Sequence, residues 1–240
     1  MLSETDILIL IPAFNEELSV GEVVKGVRSY LERARILVVD DGSSDRTSTV
    51  AQEAGACVVR HPFNLGVGTA LQTGYKYAVQ NGFSYVIQLD ADGQHSPSFL
   101  PRFIEKLKQT EADLIIGSRF LAGNTTRIPF ARKVGNALFA WIVTVLIGEK
   151  LSDPTSGFRA LRSTVLQFCI GDTYGFDYPD ADFLLTIHKM GFRIEEIPID
   201  VLERRNGISQ HHGLKPIYYT IKMFLSIFIT LIRPKGRNQY

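Results

Sequence analysis

Only two of the 240 residues are cysteine, Cys57 and Cys169, and they lie far apart with no CxxC or Cys/His spacing. That excludes a disulfide framework and a cysteine-based zinc site; both read as small apolar residues of a reduced, cytosolic protein. Charge of one sign is missing too. Lys and Arg number 26 against 25 Asp and Glu, a net of +1, so nothing global points to nucleic acid. Residues 1–6 carry no basic stretch ahead of an apolar one, so no signal peptide is expected. No run reaches the roughly 18–20 uninterrupted apolar residues of a spanning helix. Repeats, low-complexity tracts and Gly/Ser linkers are also lacking, which argues for one folded domain with an appendage.

What is present is a rhythm. Short apolar runs at 7–11, 36–39, 57–59, 85–89 and 114–116 read as strands. Between them, 19–31, 47–54, 69–79 and 97–107 carry apolar residues at helical spacing, the last with Pro97 at its first turn. This β-α-β-α alternation predicts an α/β fold, a mostly parallel sheet covered by helices on both faces. Further on, 137–148 is strongly apolar, 176–191 reads as helical and 193–199 as a strand.

Ligands of such sheets bind at the carboxyl ends of the strands. Three polar loops fall there: residues 12–17 (Pro-Ala-Phe-Asn-Glu-Glu), 40–45 (Asp-Asp-Gly-Ser-Ser-Asp) and 90–95 (Asp-Ala-Asp-Gly-Gln-His). Asp90 and Asp92 follow an apolar run directly, and alternation along an extended chain turns both carboxylates to one side. Close carboxylates repel unless a cation neutralises them. A hard divalent ion such as Mg²⁺ or Mn²⁺ takes oxygen ligands and would also bind a diphosphate. Gln94 adds a neutral oxygen. The plain alternative is a solvated acidic turn, but two other polar strand ends beside it favour the metal site. Asp40 and Asp41 can accept hydrogen bonds from a base or ribose, or cap the next helix, and one can do each. Glu16 and Glu17 favour the start of the helix that follows them.

Two phosphate-binding patterns are excluded. Residues 66–71 begin like GxGxxG, but Leu71 stands where the third glycine would be, and no Walker A lysine motif exists. A nucleotidyltransferase would place a glycine-rich, Arg-containing loop after the first strand; residues 12–17 hold no glycine.

The stretches IPAFNEE, VVDDGSSDRT, NLGVGTALQTGYKYA, QLDADGQHSP, IIGSRF, DPTSGFRAL and EEIPIDVLERRNGIS run in order from residue 11 to residue 209. As an ordered set they resemble the family 2 glycosyltransferases of the GT-A fold, most closely the polyprenyl-phosphate (dolichol-phosphate mannose synthase-like) branch. The resemblance implies a Rossmann-like GT-A domain over 1–210 and a nucleotide-sugar donor held with Mg²⁺ or Mn²⁺. It implies that Pro12, Phe14, Glu16 and Asp41, with Asp40 beside them, line the nucleoside pocket. Asp90, Asp92 and Gln94 would hold metal and diphosphate. Arg119 and Arg132 would face an acceptor phosphate, and Arg204 would reach the donor diphosphate as a loop closes. Guanidinium groups suit phosphate because they contact it at two points, although a lone arginine more often forms a surface ion pair. The implied outcome is direct displacement with inversion. Two departures stand out. Gln210, followed by His211 and His212, replaces a lysine common in the family. Asp180 and Asp182 replace glutamates; either is a candidate base if the acceptor is a hydroxyl, and otherwise a helix cap. Two rival readings are transfer to a glycan or lipid hydroxyl and an inactive, transferase-like assembly subunit.

The segment 202–240 holds seven Lys or Arg and one acid, Glu203. Within it 217–232 is apolar except for Thr220, Lys222, Ser226 and Thr230, about 24 Å as a helix against roughly 30 Å of hydrocarbon, with basic residues at both ends. That predicts an amphipathic helix lying in an anionic leaflet, or docked on a small membrane subunit, over a tail of 211–240. Residues 137–148 are a second candidate contact. The alternative for both is a buried core helix.

Overall fold

The computed structural model describes residues 2–121, 130–171, 181–200, 202 and 215–232, and within these the side chains of 130–132 and 215–223 are not described. A seven-stranded sheet organises them: β1 (Ile7–Ala13), β2 (Arg35–Asp40), β3 (Cys57–Arg60), β4 (Tyr85–Gln88), β5 (Leu114–Ser118), β6 (Arg159–Arg162) and β7 (Ile194–Pro198). Their order is β3-β2-β1-β4-β6-β5-β7. All pairings are parallel except those of β6, which runs antiparallel to both β4 and β5.

β1 shows why the sequence folds this way. Its run Ile-Leu-Ile-Leu-Ile is fully buried, and the two-residue repeat of a strand divides it between two cores. Ile7, Ile9 and Ile11 join Val20, Val23, Val24 and Val27 of α1 (Val20–Tyr30), and Phe103 and Leu107 of α4 (Leu100–Gln109). Leu8 and Leu10 join the opposite core. That core packs α3 (Val67–Gln80) on β1 and also takes in α5 (Phe130–Ile147), α6 (Ser163–Cys169) and α7 (Ala181–Lys189). Each such side chain contributes about 1.5–3 kcal/mol when fully buried. α3 lies so close to β1 that a Cβ on Gly74 would sit 2.2 Å from Leu10 Cδ1.

α2 (Thr47–Glu53) follows β2, and α8 (Lys215–Ile232) packs on α7. Ser226 of α8 donates to Asp182, and the Lys189 ammonium donates to the Thr230 and Leu231 carbonyls at 2.6 and 3.1 Å.

The structure adds to the expected pattern. β6 and α6 were not expected, because Arg-Ala-Leu-Arg offers two apolar residues between two arginines. Arg159 is nevertheless buried, donating to the Pro154 carbonyl and lying over the Phe183 ring. α5 begins at Phe130, ahead of the apolar run expected from 137. The expected helix at 176–191 is described from Ala181 onward as α7; residues 172–180 lie outside the described residues.

Candidate active site

Because β1, β2 and β4 are parallel neighbours, their C-terminal ends open on one edge of the sheet. There the first two loops interlock. The Asp41 amide donates to the Ala13 carbonyl at 2.8 Å. Asn15 takes a positive φ of 54°, which Asn tolerates better than most residues. This turn lets its amide donate to Ser43 Oγ (2.9 Å) while its Oδ1 accepts the Ser44 amide (2.8 Å). Glu16 N–H donates to Thr47 Oγ1 (2.8 Å), and Glu17 N–H to Asp45 Oδ2 (3.1 Å). Burial works against the charge of Asp45. The Thr47 hydroxyl and amide and the Glu17 amide outweigh it, and hold the carboxyl below its ordinary value.

Asp40 and Asp41 are both buried and both serve these loops. Asp40 accepts the Ser43 amide and the Ser48 hydroxyl, with the Arg60 guanidinium 3.7 Å away. Asp41 accepts from His61 Nδ1 (2.7 Å) and from the Leu65 and Gly66 amides (2.9 and 2.8 Å), fastening residues 61–66 to the end of β2. His61 Nε2 is fixed in turn by Thr73 Oγ1 at 2.9 Å. Pro12, the penultimate residue of β1, is half-buried; Phe14 is exposed just beyond the strand; and Glu16 accepts the Ser19 hydroxyl at 2.7 Å.

The acidic loop follows β4. Asp90 keeps 46% of its side chain exposed, and Asp92 is half-buried, its Oδ1 accepting the Gln94 amide at 3.0 Å. The Gln94 carbonyl accepts the Leu202 amide at 2.9 Å, so the chain leaving β7 passes over this loop. Among the described residues no group of three or more His, Cys, Asp or Glu side chains forms a self-sufficient metal cage. Two carboxylates fit a hard divalent ion whose remaining positions go to a diphosphate and water. The residues present therefore suit Mg²⁺ or Mn²⁺.

Arg119 follows β5 and forks onto Asp153, with Nε–Oδ2 at 2.6 Å and Nη2–Oδ1 at 2.7 Å; Nη2 also donates to Thr155 Oγ1. Asp153 is fully buried. Its amide and that of Ser152 donate to Glu196 of β7 at 2.9–3.0 Å, and Asn136 of α5 donates to the Ser152 carbonyl. Burial pushes the Glu196 carboxyl above its ordinary value, with the nearby Asp153 charge adding to it, although the Ser152 and Asp153 hydrogen bonds pull the other way. The sequence reading assigned nothing to Asp153, Glu196 or Asn136. The available signals were that Asp153 opens the DPTSGFRAL stretch and Glu196 is the second residue of EEIPIDVLERRNGIS.

Of the remaining expected residues, Asp182 is the one whose side chain is described. Asp182 sits in the first turn of α7, bonded to Ser226. Arg132 lies on α5, its side chain outside the described residues, as are Asp180, Arg204, Gln210, His211 and His212.

The family model described as glycosyl transferase family 2 matches residues 8–169. The chain belongs to this family. It is a glycosyltransferase. The chain is 32% identical over 216 residues to the polyprenol monophosphomannose synthase of Mycolicibacterium smegmatis, covering 86% of this chain and 81% of that one. It is 31% identical over 218 residues to the undecaprenyl-phosphate mannosyltransferase of Micrococcus luteus, covering 86% and 88%. Among solved structures it resembles glucosyl-3-phosphoglycerate synthase from Mycobacterium tuberculosis, in complex with Mn²⁺, UDP and phosphoglyceric acid. That likeness has a TM-score of 0.72 at 20% identity over 96% of this chain and 80% of that one, and concerns the fold.

Proposed function

We propose that this family 2 transferase moves a sugar from a UDP- or GDP-linked donor to a polyprenyl phosphate at the cytoplasmic membrane face. The observation that carries the reading is the open Asp90/Asp92 pair at the end of β4, set beside the interlocked β1 and β2 loops. The names of the mycobacterial-type and Micrococcus relatives support the acceptor class.

In the proposed reaction an acceptor phosphate oxygen forms a bond to the anomeric carbon as the bond from that carbon to the donor diphosphate breaks, inverting the centre. A phosphate is ionised near neutral pH and needs little help from a base. Asp90, Asp92 and Gln94 would hold a divalent cation, which when bound would offset the charge of the departing diphosphate. Phe14, Pro12 and Glu16 face the nucleoside, while Asp40 and Asp41 fix the loops around it. Arg119, neutralised by Asp153, shapes the acceptor side, and Arg132 contacts the acceptor phosphate. Arg204 lies two residues beyond Leu202, whose amide already touches the acidic loop, and this supports its closing on the donor diphosphate.

A polyprenyl phosphate must be met at a membrane. No helix among the described residues is long and apolar enough to cross one. Val134, Leu138, Trp141 and Val145 lie at helical spacing on α5 and are all exposed, as are Phe224, Leu225, Phe228, Ile229 and Ile232 on α8. The two helices touch through Phe139 and Phe224, ring centroids 5.7 Å apart. This joint face, with the basic tail 211–240, suits burial in the surface of an anionic leaflet.

The test is to incubate the protein with Mn²⁺, polyprenyl phosphate and labelled UDP-glucose, UDP-GlcNAc or GDP-mannose, each in turn. An acid-labile, lipid-linked sugar with one donor is expected. Nucleotide binding without such a product from any donor would point instead to a hydroxyl acceptor, and no nucleotide binding to an assembly subunit.

A further inference from the structure

Asp90 is walled in by two residues outside the acidic pair. On one side stands His95, buried, whose Nδ1 accepts the Asp90 amide at 3.3 Å and lies 3.4 Å from Asp90 Oδ2. Its ring packs on Phe158 (centroids 5.2 Å), and Phe158 packs on Phe103 (4.5 Å). On the other side stands Gly157, in the turn leading into β6. A Cβ built there would meet Asp90 first, with Oδ1 at 3.0 Å, Oδ2 at 3.2 Å and Cγ at 3.4 Å.

This glycine is not explained by its backbone. Gly42, Gly66 and Gly93 take positive φ angles, and Gly157 does not. An alanine could adopt its conformation, so the constraint is the carboxylate in front of it. Nor can the turn easily retreat. The Gly157 carbonyl accepts Gln88 Nε2 at 3.0 Å, and Gln88 Oε1 accepts the buried Tyr75 hydroxyl. β6 itself is locked between β4 and β5. If something must give, it is Asp90, whose side chain is half open to solvent.

We propose that Gly157 is a positioning residue for the metal-binding carboxylate: lacking a side chain, it leaves Asp90 room for the rotamer seen here, with Oδ2 3.4 Å from the buried His95 ring. A carboxylate displaced by a few tenths of an ångström still folds but presents its oxygens wrongly to a small, hard cation. The antiparallel strand that interrupts the sheet thereby becomes part of the metal site. This inference rests on the reading of Asp90 and Asp92 as metal ligands.

The experiment measures Mn²⁺ affinity of the full chain by electron paramagnetic resonance, with UDP and then GDP present, alongside melting temperature. Wild type, Gly157→Ala and Asp92→Asn are compared. Gly157→Ala should melt with the wild type and bind Mn²⁺ about 10- to 100-fold more weakly, while Asp92→Asn binds none. Wild-type affinity in Gly157→Ala, with Asp92→Asn silent, overturns the inference alone. Absence of binding in the wild type overturns the metal reading, and the inference with it. If Gly157→Ala melts early, the Asp90→Gly, Gly157→Ala double variant should regain the wild-type melting temperature, since the obstructing group is gone. Failure to regain it would also overturn the inference.

Discussion

Arg119 and Asp153 form a two-point ion pair whose carboxylate is wholly buried, joining the end of β5 to the turn ahead of β6. Removing the arginine strands a charge in the interior. Arg119→Ala should lower unfolding free energy by about 3 kcal/mol in urea, at the low end for a buried pair because the guanidinium is itself partly exposed. Arg119→Lys cannot reproduce the fork and should recover only part of the loss. Wild-type stability in Arg119→Ala would show that the pair does not support the fold.

Gly42 carries the second prediction. Its φ is +75°, and a Cβ there would lie 2.5 Å from the Phe63 carbonyl carbon and 2.8 Å from the Asn64 nitrogen. Backbone cannot step aside as a flexible side chain can. Gly42→Ala should therefore cost about 1–3 kcal/mol and raise the dissociation constant for the donor nucleotide, since the β2 and β3 loops part. Calorimetric titration with UDP and GDP checks it.

Asp45 fixes a pH dependence. Its folded-state pKa lies below the ordinary value of 3.8, so its hydrogen bonds to Thr47 and Glu17 stabilise the fold above that value and fade as pH falls beneath it. Asp45→Asn should be less stable than wild type at neutral pH, and the gap should close below pH 3.8. A gap that stays constant into acid would refute the assignment. Glu196 has the opposite sign: with its pKa raised above the ordinary 4.5, its contribution is greatest in acid and declines as pH rises through the folded-state value.

Trp141 is 65% exposed at the centre of the apolar face of α5. Trp141→Asp should reduce binding to anionic phospholipid vesicles by roughly tenfold or more, the equivalent of withdrawing one large side chain from hydrocarbon. Binding to vesicles unchanged by the substitution would turn attention to a protein partner for that face.

Much of the fold was legible because the signals were local. The Ile-Leu-Ile-Leu-Ile run of β1 and the Val20, Val23, Val24, Val27 spacing of α1 each announce an element without help from the rest of the chain. β6 was not legible, since its two arginines are accommodated by distant groups: the Pro154 carbonyl and Phe183 ring for Arg159, and the Ala112 and Thr110 carbonyls for Arg162. The site divides in the same way. Asp90 and Asp92 stand out as an acidic loop directly after an apolar run, although β4 ends at Gln88 and Asp92 sits in a turn, so strand alternation does not orient them; the Arg119 partner lies 34 residues away and belongs to a contact that only the folded sheet makes. Gly157 looks like any loop glycine until the carboxylate in front of it is seen.

Asp92→Asn offers the sharpest trial, because it keeps the size of the side chain while removing its charge. Sugar transfer to polyprenyl phosphate should be assayed with this variant and wild type, over a Mn²⁺ series that includes chelator-treated enzyme. A loss of at least about 100-fold in the variant at unchanged melting temperature, with wild-type activity vanishing as the ion is removed, is the predicted result. Undiminished transfer by the variant, or by wild type freed of divalent ions, would contradict it.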